Sequence, residues 1–101
     1  MKPTGTNVRP GQALAVVVGA GGMAMAVARR LGQAYRILLA DRDVAHLERQ
    51  VSVLRFEGYD AAGMPCDVVD QAAVAALASR AAETGPVRVL AHVVGLSPSM
   101  G

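Results

Sequence analysis

Gly19, Gly21 and Ala24 fill the three slots of G-x-G-x-x-G/A in the stretch Gly19-Ala20-Gly21-Gly22-Met23-Ala24. That spacing suits a dinucleotide's diphosphate, and each slot has a physical reason. Gly19 lets the chain leave a strand in a tight turn. Gly21 has no side chain, so a diphosphate can approach the backbone. Ala24 is small enough for a following helix to pack closely on the strand. The free N–H groups of that helix's first turn, at Gly22, Met23 and Ala24, then attract phosphate together with the helix dipole. A bare glycine cluster is more often a ligand-free strand-to-helix turn, so context decides.

The context is an acid. Asp41 ends the apolar run Ile37-Leu38-Leu39-Ala40 at the separation of about 20 residues expected of a ribose-binding carboxylate. There it can accept both ribose hydroxyls and repel a 2′-phosphate, which favours NAD over NADP. Arg42, next along, can hold a 2′-phosphate, so NADP stays in view. Asp67 and Val68 follow the run Ala61–Cys66 and would lie beside an adenine ring. Asp67 can take the adenine amino group and the Val68 N–H its N1. A turn or cap role for Asp67 is equally open. Gly95 can let a ribose approach the backbone. His92 lies in an apolar run and is read as a core or edge histidine rather than an acid–base catalyst. His46 falls on a solvated helix face. The two histidines stand far apart without clustered acids, so no metal site is expected. Cys66 has no basic partner and is expected to be inert. Ser97 and Ser99 lack a His-Asp pattern, and no G-x-S-x-G is present.

These groups need a scaffold, and the hydrophobic pattern supplies one. Residues 1–12, with Pro3, Gly5, Pro10 and Gly11, read as a flexible lead-in to a domain over 13–101. Ala13–Val18 is continuously apolar, as a central parallel strand covered on both faces should be. Gly22–Leu31 is a helix, with Met23, Val27 and Leu31 expected to face the sheet and Gly32 to stop it. Arg29 and Arg30 suit its negative end. Tyr35–Ala40 is the second strand. Asp43 caps a helix running to about Glu57, with Val44, Leu47, Val51 and Leu54 as its buried stripe and Gly58 as its end. Ala61–Cys66 is the third strand. Pro65 lacks the N–H a central ladder needs, which places this strand at an edge and suggests the order 3-2-1-4. Asp70 caps a helix from Gln71 to about Glu83, with Val74, Leu77 and Ala81 buried, and Gly85-Pro86 breaks it. Val87–Val94 is the fourth strand, and 95–101 is a loop. The sum is an α/β, Rossmann-like βαβαβαβ chain with helices on both faces of a parallel sheet.

The totals narrow the function. The chain has 101 residues, 52% of them hydrophobic, with one Phe, two Tyr and no Trp. One domain with a core of Val, Leu and Ala follows. The net charge is +2 and the arginines are dispersed, so no nucleic-acid surface is expected. A single cysteine excludes an internal disulfide and a CxxC metal site. Residues 1–11 hold no apolar leader segment, and no uncharged apolar run is long enough to span a bilayer. A cytoplasmic protein without membrane contacts is expected.

Taken in order, GAGGMAMAVARRL, LLADRD, CDVVD and VLAHVVG resemble the N-terminal, cofactor-binding half of the short-chain dehydrogenase/reductase family over nearly the whole chain. The resemblance implies that Gly19, Gly21 and Ala24 match the glycine-rich turn, Asp41 the NAD-selecting acid, and Asp67-Val68 the adenine pair. Residues 90–95 stand where the family often has Asn-Asn-Ala-Gly. It implies an NAD(P)-dependent oxidoreductase moving hydride between nicotinamide and a carbonyl or alcohol. The chain departs from the pattern in several places. Val18 replaces the usual Thr, the turn is one residue tighter, and His92 and Val93 replace both Asn. The catalytic Tyr-x-x-x-Lys is absent, since Lys2 is the sole lysine, so no catalytic residue is assigned and the chain alone is expected to be inactive. An unpartnered Val87–Val94 edge implies a homo-oligomer or a partner chain. Two rival readings remain. One is a non-catalytic nucleotide-binding or regulatory module. The other, less favoured, is a fragment of an S-adenosylmethionine-dependent methyltransferase, whose first strand usually carries an acid.

Overall fold

The structure, a computed structural model, describes residues 13–93. The expected lead-in over 1–12, the end of the fourth strand at Val94, Gly95, Ser97 and Ser99 lie outside the described residues.

Seven elements alternate: β1 (Leu14–Val18), α1 (Gly22–Leu31), β2 (Arg36–Asp41), α2 (Val44–Phe56), β3 (Ala61–Pro65), α3 (Gln71–Thr84) and β4 (Val87–His92). The strands form one parallel sheet in the order β3-β2-β1-β4. Parallel neighbours need a crossover, and here each crossover contains a helix. Alternation along the strands sorts the core into two layers. Ala15, Val17, Ile37, Leu39 and Ala61 pack with α1 and α2 on one face. Leu14, Val16, Leu38, Ala40 and Cys66 pack with Leu77 and Ala81 of α3 on the other. Burial on both faces is why β1 and β2 are apolar at nearly every position.

The helix starts follow from two aspartates. Asp43 Oδ1 accepts from His46 N at 3.1 Å, and Asp70 Oδ1 accepts from Ala72 N at 3.0 Å and Ala73 N at 3.3 Å. Each cap contributes about 1 kcal/mol. Gly32 does end α1, but in a right-handed conformation, so it is not a left-handed stop. Glycine stands there because a Cβ would come within 2.6 Å of the Tyr59 ring.

Three expected core residues prove to be on the surface. Met23 is 64% exposed, because α1 meets the sheet through Ala24, Met25 and Ala28 and Met23 lies about 100° round the helix from Ala24. Val44 is exposed because the first turn of α2 overhangs Pro65 at the end of the edge strand. Val74 is exposed because it borders a groove over β4. That groove runs between α3 and the strand residues Val16, Val18, Val87, Leu90 and His92. No described element covers it, and Leu90 is 69% exposed within it.

The two sheet edges differ. On β3, register with β2 turns the Ala61, Gly63 and Pro65 backbone groups outward. Arg55 Nε donates to Ala61 O at 2.6 Å, and Pro65 has no N–H to offer. The outer edge of β4 carries no such block among the described residues.

Candidate functional site

The carboxyl ends of the four strands converge on one cleft of about 370 Å³. β1 contributes Val18 and Gly19, β2 Asp41 and Arg42, and the segment after β3 Cys66 to Val69. His92 and Val93 come from the end of β4. The cleft lies where the strand order reverses between β1 and β4, the usual place for ligands in open α/β sheets.

Gly19 anchors the bend. Its φ is +124°, and a Cβ there would lie 2.9 Å from Val93 O and 3.4 Å from Ala24 Cβ. Its N–H donates to Ala40 O at 2.6 Å, while Val93 N donates to Val18 O at 2.9 Å. Glycine is therefore required both by the left-handed backbone and by the close approach of β4. Ala24 is buried beneath the bend, so its part is packing.

Gly21 is the N-cap of α1, extended at φ −76°, with no side-chain cap and no acid in the first turn. Among the described residues no side chain caps the positive end of α1. A Cβ added at Gly21 or Gly22 meets nothing within 4 Å among the described residues. Among the described residues no side chain occupies the space beside these two glycines. Met23 stands exposed beside that space. Gly21, Gly22 and Met23 form no part of the cleft wall; they lie on the helix that starts beyond Gly19.

Asp41 and Gly19 line the same cleft. Asp41 Oδ2 accepts from Asp43 N at 3.1 Å, which fixes the carboxylate while leaving acceptor capacity for two hydroxyls. Arg42 is exposed at the rim. Asp67 holds its own turn, with Oδ1 accepting from Val69 N at 3.1 Å and its carbonyl from Asp70 N at 2.9 Å. The turn role is therefore real, and the residue also lines the cleft. Val68 is exposed there and free to contact a ring. His92 sits on the edge strand, paired with Val18 and exposed at the cleft wall. Burial, with Asp67 and Asp70 nearby, pushes the Cys66 thiol upward, so it is not poised as a nucleophile. His46, expected on a solvated face, is instead half-buried on α2 and does not line the cleft. Among the described residues no cluster could hold a metal ion.

Two contributors were not visible in the sequence. Val93 shapes the bend through its backbone carbonyl, which no side-chain pattern encodes. Gln50, on α2, donates through Nε2 to Ala20 O at 2.9 Å. It lies next to Val51 of the buried stripe, and nothing in the spacing marks it.

The short chain dehydrogenase family model matches residues 13–101. The chain is similar to the putative ketoacyl reductase 1 of the granaticin polyketide synthase from Streptomyces violaceoruber, 38% identical over 96 residues. That match covers 92% of this chain and 34% of the relative. Among solved structures it is similar to a short-chain dehydrogenase/reductase from Burkholderia phymatum in complex with NAD. That likeness has a TM-score of 0.72 and 37% identity, covering 80% of this chain and 30% of the other. It is also similar to a metagenomic short-chain oxidoreductase in complex with NADP, with a TM-score of 0.76 and 33% identity, covering 86% and 41%. The chain spans about a third of the length of the curated relatives it matches.

Proposed function

From the premise that this chain belongs to the short-chain dehydrogenase/reductase family, we propose that it forms the cofactor-binding part of an NAD-dependent oxidoreductase. Family membership sets the methyltransferase reading aside. The reading is supported by one observation: Gly19, which starts the glycine bend, and Asp41 line the same cleft at the carboxyl edge of the sheet. The N–H groups of Gly21, Gly22 and Met23 take the diphosphate. Asp41 takes the ribose hydroxyls, with Arg42 beside it. Asp67 and the Val68 N–H take the adenine edge, and Gly95 gives the ribose close access to the backbone. When bound, the nicotinamide supplies hydride exchange with a carbonyl or alcohol. No residue of this sequence forms the Tyr-x-x-x-Lys pair, so the accompanying proton transfer falls to other groups. The 101-residue chain alone binds cofactor without turning it over.

Neighbouring structures hold NAD in one case and NADP in another, so the choice rests on Asp41. With the ribose held by Asp41, its charge would oppose a 2′-phosphate, and a tenfold preference needs only about 1.4 kcal/mol. Calorimetric titration should give tighter binding of NAD than of NADP. Asp41→Ala should narrow that ratio by about tenfold. Equal affinities before substitution would remove Asp41 from the selecting role, and no binding of either would remove the function itself.

The unblocked β4 edge and the apolar groove beside it support a further part of the reading: another chain covers this strand, either a second copy or a partner. Light scattering at rising concentration should show association, and Leu90→Arg should abolish it. A monomer at every concentration would refute self-pairing.

A further inference from the structure

The Ala20 carbonyl is an unusual place for a side chain to bind. Ala20 is 2% exposed, so its oxygen must find a partner inside the protein. Gln50 reaches it from α2, thirty residues along the chain, at 2.9 Å. A carbonyl only accepts, so the amide NH₂ faces it. The Ala20–Gly21 peptide is trans and planar, so its N–H points opposite to its C=O. Holding the oxygen toward α2 therefore turns the Gly21 N–H away from α2. Among the described residues that N–H makes no hydrogen bond, and nothing lies within 4 Å of where a Gly21 Cβ would stand.

We propose that Gln50 is a positioning residue for the diphosphate: by gripping Ala20 O it aims the Gly21 N–H at the ligand and keeps the Ala20 oxygen from turning outward. The proposal rests on the dinucleotide reading above. Without the grip, a buried carbonyl loses its only side-chain partner and gains by rotating the peptide plane toward water. Gly21 has no Cβ to resist that rotation. The rotated plane would present an oxygen, not an N–H, to an anion.

The test separates the diphosphate from the rest of the ligand. The whole chain is titrated with ADP and with adenosine, as wild type, Gln50→Leu and Gln50→Glu. Wild type should bind ADP more tightly than adenosine. Gln50→Leu should cut the ADP-to-adenosine affinity ratio about tenfold, the scale of one hydrogen bond aimed at a charge. Its adenosine affinity and thermal midpoint should stay near wild type. Gln50→Glu keeps the shape but opposes an acceptor to an acceptor, and should lose at least as much. A wild-type ratio in either variant would overturn the proposal. So would an equal loss for both ligands, which marks a general structural role. Failure of wild type to bind either ligand would instead overturn the dinucleotide reading and this proposal with it.

Discussion

Gly21→Asp should lower NAD affinity by more than about 100-fold while leaving the fold intact or slightly more stable. Both halves follow from one position. Gly21 is extended at φ −76°, and no described residue lies within 4 Å of where its side chain would begin. An aspartate there meets no clash and suits the N-cap it would occupy, a gain of a few tenths of a kcal/mol over glycine. Its carboxylate would stand where the diphosphate is proposed to bind. Two unit charges about 4 Å apart repel by roughly 4 kcal/mol near a protein surface, more than the roughly 2.8 kcal/mol that 100-fold requires. Calorimetry with NAD and a thermal melt, run on the same sample, check the two halves separately. Binding retained within tenfold would mean that the diphosphate does not sit over this amide.

Gly19→Val should do the opposite and break the fold first. Here φ is +124°, and the added Cβ would press within 2.9 Å of Val93 O, a backbone atom with no flexible end to yield. A β-branched residue at positive φ costs about 1–3 kcal/mol in backbone strain, and overpacking adds about 1–3 kcal/mol more. A combined loss of about 3 kcal/mol would lower the melting midpoint of a domain this size by roughly 12 °C or more. A midpoint within a few degrees of wild type would show that β4 can back away from the bend at little cost. The two glycines thus stand two residues apart and answer to different demands. Gly19 serves the chain's own closure, and Gly21 keeps space for something else.

Much of this was legible in the sequence. Pro65 placed β3 at an edge because a missing N–H has only one consequence for a ladder. Asp43 and Asp70 marked helix starts because short carboxylates satisfy first-turn amides. The continuous apolar runs marked strands buried on both faces. What escaped had a common cause: it depends on which element lies across from a residue. Helical spacing alone put Met23, Val44 and Val74 in the core, but the position of β4 and the end of β3 decide whether anything covers them. Small residues on α1, chiefly Ala24 and Ala28, carry its contact with the sheet, and apolar spacing does not distinguish them from filler. Gln50 and the Val93 carbonyl act through a backbone hydrogen bond and a backbone contact, neither of which leaves a residue pattern.

The inequality of the two sheet margins limits how copies could join. A filament needs each unit to offer two growing ends, one to receive and one to extend. Ala61 O is occupied by Arg55 and Pro65 gives no donor, so the β3 side is a partly blocked margin on which Gly63 alone keeps both its N–H and its C=O for a neighbour. A pair meeting through β4 would have both of its receptive sides inside the joint and only the partly blocked β3 sides outside. Association by this route would favour pairs over longer assemblies.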